Sequence, residues 1–477
     1  MRRGYPMKVF ARLSSALLGL TVMVGCSSQT LPLALNPARV PAQLGSMSTR
    51  AASPLASSQL MVTDHFTQWI KSQQPSNRQI GAASEEITQG APVDGQAVDK
   101  LPPVQAKPFT YFTYEALDNN LFGDLNRVLD ALELVGSNSQ MNLLAQTDSY
   151  GGGNTARYYI SPNKEFNDNA PIVASPYVKL GPDAENSGDP RTLANALNWA
   201  YKAYPARYNW LNISSHGMGF AGIAYDDAPE ASMNIMSFAQ GVRQGMGGKK
   251  LDIVSFDACL MATVEVGSEL QDVANIMVGS EDSTYYWGHG YAQTMAKIAQ
   301  NPAAMNPDQI VRSMVLDVHS KGAGNQTLTI SATDLRKMSA LEPELDLLAR
   351  ALRKALAGPQ RANVIRAMQL TREFHLGENI PFRDLNRILN LSKTNIQDPA
   401  VAQAADRINN VLFRRGLIML ARQNKLEKGE GRGLSIYLPT DGQGVSQTYR
   451  QTRLARSTQW DEFLLDLNAA IATPATR

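Results

Sequence analysis

Leu251-Asp-Ile-Val-Ser-Phe-Asp257-Ala-Cys259-Leu-Met261 is the stretch on which the fold turns. Leu251 to Phe256 is a short run of bulky and β-branched residues that reads as a strand, and a helix is expected to follow from Cys259 to about Ala274. Upstream, Trp210 to Ser214 reads as another strand ending at His216-Gly217, and a helix over about Ser237 to Gly245 lies between the two. Farther out, Phe109-Thr-Tyr-Phe-Thr-Tyr-Glu-Ala-Leu117 and Met141 to Gln146 read as strands, with helical spacing at Leu121 to Val135 and Thr192 to Ala203. Strand and helix alternate, which implies crossover connections and a largely parallel sheet with helices on both faces.

Beyond about Asn301 helices dominate, for example Leu341 to Leu356 and Pro399 to Gln423. The second has a start signal in Asp398, a good N-cap, followed by Pro399 at the first helical position. Strand-like segments at Gln326 to Ser331 and Leu434 to Leu438 suggest that this mostly helical lobe adds strands to the main sheet. The expected organisation is therefore an export segment over 1–26, a flexible Ser-, Pro-, Ala- and Gln-rich tether over 27–106, a core over 107–300 and a helical lobe over 301–477 that completes it.

The 477 residues are 43% apolar, enough for a large core, and 45 Lys and Arg nearly cancel 43 Asp and Glu. Nothing in that balance points to nucleic acid. At the N-terminus Arg2, Arg3 and Lys8 precede an apolar run from Leu17 to Val24, and the run ends at Gly25-Cys26-Ser27. This is the form of a bacterial lipoprotein signal, with Cys26 the residue to be lipidated and simple secretion the alternative. The chain is thus expected outside the cytoplasm, on a membrane. If Cys26 carries lipid, Cys259 is the one cysteine left, in a compartment where cysteines usually pair, with no second cysteine to bridge to. Such a thiol is either a small buried hydrophobe or there to react.

Parallel sheets gather reactive groups at the carboxyl ends of their strands. His216-Gly217 and Cys259 both fall at such ends. A helix N-terminus at Cys259 and a neighbouring imidazolium would each favour the thiolate, and His216 would return the proton to a leaving amine. The N–H groups of Gly217 and Cys259 are candidates to hold an oxyanion. His216, His289 and Asp226-Asp227 lack the spacing of a metal site, and Gly151-Gly-Gly-Asn-Thr155 is a turn rather than a phosphate loop.

Ser215-His216-Gly217 and Phe256-Asp-Ala-Cys259-Leu-Met-Ala262, followed by Glu265, resemble the clostripain family of cysteine peptidases, of the caspase-like clan. Asp118-Asn-Asn-Leu121, Gly188-Asp-Pro190, Gly279-Ser-Glu281, Gly433-Leu-Ser-Ile-Tyr-Leu-Pro439 and Trp460 look like further landmarks, so the resemblance covers about Phe109 to Leu467. It implies a caspase-like α/β/α sandwich and an endopeptidase that attacks protein or peptide substrates through a Cys259–His216 dyad and a thioester. It also implies cleavage after Arg or Lys, with Asp257 lining the pocket and either Glu281 or Asp282 as the second acid. Asp257 as the cap of the Cys259 helix is the competing role. The segment Trp287-Gly-His289-Gly290 departs from the family's usual Gly-Trp order, which leaves the second acid open, with His289 and the neighbouring aromatics shaping a different pocket as the alternative. Some relatives cleave their own chain between histidine and cysteine, which makes Arg243, Lys249 and Lys250 candidate sites. Some also depend on calcium, although no local calcium loop is visible and the chemistry itself requires no cofactor. A transpeptidase with the same dyad and a non-catalytic binding lipoprotein on the same scaffold are the rival expectations.

Overall fold

The structure, a computed structural model, describes residues 106–149, 155–164, 173–181, 185–284, 291–321, 328–374, 380–426 and 429–473. The export signal with Cys26, almost all of the tether, the Gly151 turn and the Trp287–Gly290 segment lie outside the described residues. In chain order the strands are β1 (Lys107–Leu117), β2 (Met141–Ser149), β3 (Ala156–Tyr159), β4 (Tyr177–Lys179), β5 (Ala206–Ser214), β6 (Ile223–Asp227), β7 (Glu230–Met233), β8 (Leu251–Asp257), β9 (Ala274–Gly279), β10 (Leu328–Asp334), β11 (Glu373–Phe374), β12 (Phe382–Asp384), β13 (Ile418–Asn424) and β14 (Ser435–Tyr437).

Nine of these form one sheet in the order β13-β10-β9-β8-β5-β1-β2-β3-β4. The middle five, β9, β8, β5, β1 and β2, are mutually parallel, and the strands added at either edge are antiparallel. Parallel strands covered by helices on both faces must be apolar on both. In β1, Phe112, Tyr114 and Ala116 enter one apolar cluster while Phe109, Tyr111 and Leu117 enter the other. The helices Pro190–Ala203, Ile235–Gly245 and Glu342–Ala357 cover the first face, and Leu125–Glu133, Tyr291–Gln300 and Pro307–Lys321 the second. The result is the three-layer α/β/α sandwich with a largely parallel sheet that strand–helix alternation predicts. Its polar interior is paired across strands: Trp210 Nε1 donates to Ser255 Oγ at 2.8 Å, Ser255 Oγ to Asn212 Oδ1 at 2.6 Å, and Asn212 Nδ2 to Thr113 Oγ1 at 3.2 Å.

Three expectations need correction. The strand-like Leu434 to Leu438 forms β14, but it pairs with β12 in a separate three-stranded sheet, β11-β12-β14, and not with the main sheet. The helix expected over Pro399 to Gln423 starts as read, with Asp398 accepting the Ala400 N–H at 2.8 Å, but ends at Asn409. A π-type turn at Asn410–Arg414 and a left-handed Gly416 (φ +72°) then release the chain into β13 at the sheet edge. The helix expected to start at Cys259 starts instead at Val264, capped by Thr263, whose hydroxyl accepts the Val266 N–H at 3.1 Å.

That short helix, Val264–Leu270, is anchored by the far end of the chain. Thr263 bridges to Ser435, Ser435 N–H donates to Ala262 O at 3.0 Å, and Tyr437 N–H donates to Glu265 Oε1 at 2.9 Å. Trp460 Nε1 in turn donates to Tyr437 O at 3.0 Å. Glu265 is fully buried, and burial raises its carboxyl from 4.5 to about 7, the Tyr437 N–H opposing only part of the rise. A carboxyl that ionises later in the fold than in the unfolded chain stabilises the fold in its protonated form. Its contribution is full below about pH 4.5 and lost as pH rises through about 7. Glu265→Gln keeps the acceptor for Tyr437 and removes the titration, so melting curves from pH 4.5 to 8 should show the variant gaining on wild type by a change on the order of 3 kcal/mol. A difference between the two that does not move with pH would contradict this.

Candidate active site

β5 and β8 run parallel with Ser214 beside Asp257, and Ser215 N–H donates to Asp257 O at 3.3 Å. Two residues beyond that pair come His216 on one strand and Cys259 on the other, so the register alone brings them to the same edge. Gly217 follows His216, and a Cβ there would stand 2.5 Å from Cys259 O and 3.0 Å from Ala258 Cβ. Only glycine lets the two strand ends approach this closely. Asn120 follows β1 and Asp282 and Thr284 follow β9, so four adjacent parallel strands, β1, β5, β8 and β9, deliver residues to one edge.

Cys259 is 2% exposed and lies in a turn, five residues before the helix. The turn is built on the segment that leaves β9: Leu260 takes φ +59°, its N–H donates to Asp282 O at 3.2 Å, and Ala262 N–H donates to Ser280 O at 2.8 Å. The chain therefore crosses the end of β9 before it can wind. A helix N-terminus does not reach the sulfur, and Asp257 is not the cap. In their place Thr284 N–H points at Cys259 Sγ, 3.4 Å away, and the thiol reaches Thr284 O at 3.9 Å. No side-chain signal marks a backbone donor, so Thr284 could not have been found from the sequence.

His216 is half-buried, with Nε2 2.5 Å from Asn120 Oδ1 and its ring edge-on to Tyr225 at 6.1 Å. Asn120 belongs to the Asp118–Leu121 landmark, whose repeated short amides are the available signal for a turn that also supplies a side chain.

The three acids expected beside the thiol separate. Asp257 is buried at the end of β8. Asp282 is buried and pairs with the half-exposed guanidinium of Arg372 at 3.3 Å. Glu281, the adjacent residue in the bend after β9, has different partners and is 1% exposed, accepting Gly433 N–H at 2.8 Å. It lies against Asp384: burial first, then that carboxylate, pushes Glu281 well above the ordinary range, and burial raises Asp384 to about 6. Glu281 is part of the brace on β14 and not of a pocket.

Of the candidate processing residues, Arg243 is exposed on the last turn of Ile235–Gly245, and Lys250 is tied by its Nζ to Gln271 O at 2.7 Å. Lys249 is exposed after the left-handed pair Gly247 and Gly248. Among the described residues no group of His, Cys, Asp and Glu could hold a metal ion. Asp226 accepts instead from Ser187 N–H and from Ala228 N–H, at 2.7 and 3.0 Å.

Three solved structures share the architecture. One is a secreted C11 cysteine protease from Bacteroides thetaiotaomicron in complex with an irreversible peptide inhibitor; it is 20% identical, covers 74% of this chain and all of its own, and superposes with a TM-score of 0.53. An inactive zymogen C11 protease from Parabacteroides distasonis matches at 18% identity, 74% and 99% coverage and 0.52. A second B. thetaiotaomicron structure, a secreted C11 cysteine protease called iotapain, matches at 16% identity, 76% and 100% coverage and 0.53. At such identities the likeness is one of fold. None of the curated proteins is similar enough to count as a match. The sequence profile of the clostripain family, in contrast, matches residues 113–467, a span that holds every strand-end residue described above. The chain therefore belongs to the clostripain family and is a cysteine endopeptidase with a caspase-like fold.

Proposed function

We propose that Cys259 is the nucleophile and His216 the base of this peptidase, in a chain exported and anchored through a lipidated Cys26. The observation that carries the proposal is the β5–β8 register, with Gly217 pressed against the Cys259 carbonyl. His216 takes the thiol proton, and the thiolate attacks the scissile carbonyl carbon to form the S–C bond. The N–H groups of Gly217 and Cys259 hold the oxyanion, each worth about 3 kcal/mol. Collapse breaks the C–N bond, the amine leaves with the proton from His216, and a thioester remains. Water, deprotonated by His216, then attacks the thioester and releases the acid and the thiol. The Thr284 N–H directed at the sulfur supports the charged nucleophile where the sequence suggested a helix dipole.

Cleavage after Arg or Lys is supported by Asp257 and Asp282, whose carboxylates are buried at the end of β8 and just beyond β9. The ion pair that Asp282 already makes with Arg372 is the pairing that a substrate guanidinium would make, so Arg372 competes for the pocket. Export is favoured by the lipoprotein-like N-terminus, and two of the structural neighbours are described as secreted. No helix among the described residues is long and apolar enough to cross a membrane. Self-cleavage fits Lys249 best, since Arg243 would require a helix end to unwind and Lys250 is held by Gln271.

On a peptide library varied at the residue before the cleaved bond, wild type should cleave after Arg and Lys, and Cys259→Ala should lose all turnover; equal activity of the two proteins would refute the dyad. Arg372→Gln should raise kcat/KM for Arg substrates about two- to fivefold, the strength of a half-exposed ion pair. An unchanged ratio would remove Asp282 from the pocket. Purified active enzyme should run as two fragments on a denaturing gel, and Lys249→Ala as one chain; an active wild type in one piece excludes processing.

A further inference from the structure

His216 is bonded to an atom that can only accept. Asn120 Oδ1 lies 2.5 Å from Nε2, so the bond exists only if Nε2 carries the proton. The other ring nitrogen, Nδ1, is buried and bonded to no described residue, which leaves its lone pair available. The frame around the ring is rigid. Asn119, next to Asn120, donates from Nδ2 to Ala116 O at 3.0 Å and to Tyr225 O at 2.9 Å, while its Oδ1 accepts from Leu121 N–H at 3.0 Å. Asp118 O accepts from Asp227 N–H at 2.7 Å. The turn after β1 is thereby fastened to β6, and β6 supplies Tyr225, whose ring meets the imidazole edge-on. Tyr225 N–H donates to Ser215 Oγ at 3.0 Å, which ties β6 back to the residue before His216. One closed set of bonds fixes both neighbours of the imidazole.

We propose that Asn120 is a positioning residue that holds His216 in the Nε2–H tautomer, so that Nδ1 is the atom that receives the Cys259 proton and later gives it to the leaving amine. The inference rests on the assignment of His216 as base. A neutral amide suits the task because it accepts from Nε2–H in both the neutral and the charged ring, without holding the second proton as a carboxylate would. It explains why the turn after β1 holds a short amide that reaches the imidazole, and why Asn119 rather than Asn120 makes the bonds of the turn itself.

The test compares wild type, Asn120→Ala and Asn120→Asp on an Arg-containing peptide between pH 5 and 10. Because Asn120 is exposed, both variants should melt with wild type. Asn120→Ala should lower kcat about 10- to 100-fold with KM little changed, the loss that follows when an orienting partner is removed. Asn120→Asp keeps the acceptor; it should recover most of kcat and carry the alkaline limb of the profile to higher pH, since a carboxylate favours the imidazolium. Unchanged kcat and pH limbs in Asn120→Ala would overturn the proposal. A readout independent of turnover is ¹⁵N NMR of the rings in Cys259→Ala protein, with the His216 signals identified by their loss in His216→Gln. The proposal requires Nε2 protonated and Nδ1 not, and a mixture of tautomers once Asn120 is also Ala. If wild type cleaves no peptide, the assignment of the base fails, while the ring nitrogens still report whether Asn120 sets the tautomer; a protonated Nδ1 in the neutral ring sinks it in either case.

Discussion

The structure depends on the parallel pairing of β5 with β8. Because Ser214 and Asp257 are register partners, His216 and Cys259 leave the sheet together, two residues later and on adjacent strands. A slip of one residue would turn every side chain on one strand to the opposite face, taking Phe256 and Val254 out of their core and His216 away from Cys259 together. The apolar core thus enforces the alignment of the polar residues, and Gly217 is the local condition that lets the strand ends close.

The cysteine turn has no helix to hold it, and the fold supplies the missing rigidity from elsewhere. Backbone bonds to Ser280 and Asp282 fix the turn on one side, and β14, from the other end of the chain, fixes its exit. Leu260 in the left-handed region is a conformation of a kind that costs on the order of 1 kcal/mol or more and persists only where the surroundings enforce it. Those surroundings include Glu265 and Glu281, two carboxylates buried to accept backbone N–H groups of the β14 segment. Their position makes the site's support sensitive to ionisation, since burial raises both carboxyls.

The segments that resemble family landmarks acquire separate physical roles in three dimensions. Gly433 to Pro439 contains the bracing strand, Trp460 donates to its last residue, and Asp189 caps the helix Pro190–Ala203 that packs on the sheet, accepting Arg191 N–H at 2.8 Å. Asn119 shapes a turn and Asn120 reaches the imidazole. These roles divide the landmark segments among hydrogen bonds that the letters do not name.

Periodicity determined what local physics controls. The two-residue alternation of β1 and the apolar run of β8 specify buried parallel strands, Asp398-Pro399 specifies a helix start, and a histidine and a cysteine at strand ends specify where chemistry belongs. What periodicity could not decide depends on chain segments far apart in number. A cysteine after a strand looks the same whether a helix begins at once or five residues later; the outcome here is set by Ser280, Asp282 and Ser435, which occupy the backbone groups of the turn. Glu281 and Asp282 are equivalent as letters, yet one supports the β14 segment and the other meets Arg372, and only the packing around the bend after β9 says which partner each finds. The sequence alone therefore determined the class of fold and the residues at the carboxyl edge of its parallel strands, while the tertiary structure decided which backbone groups and which neighbours those residues face, since such contacts arise only when distant segments are brought together.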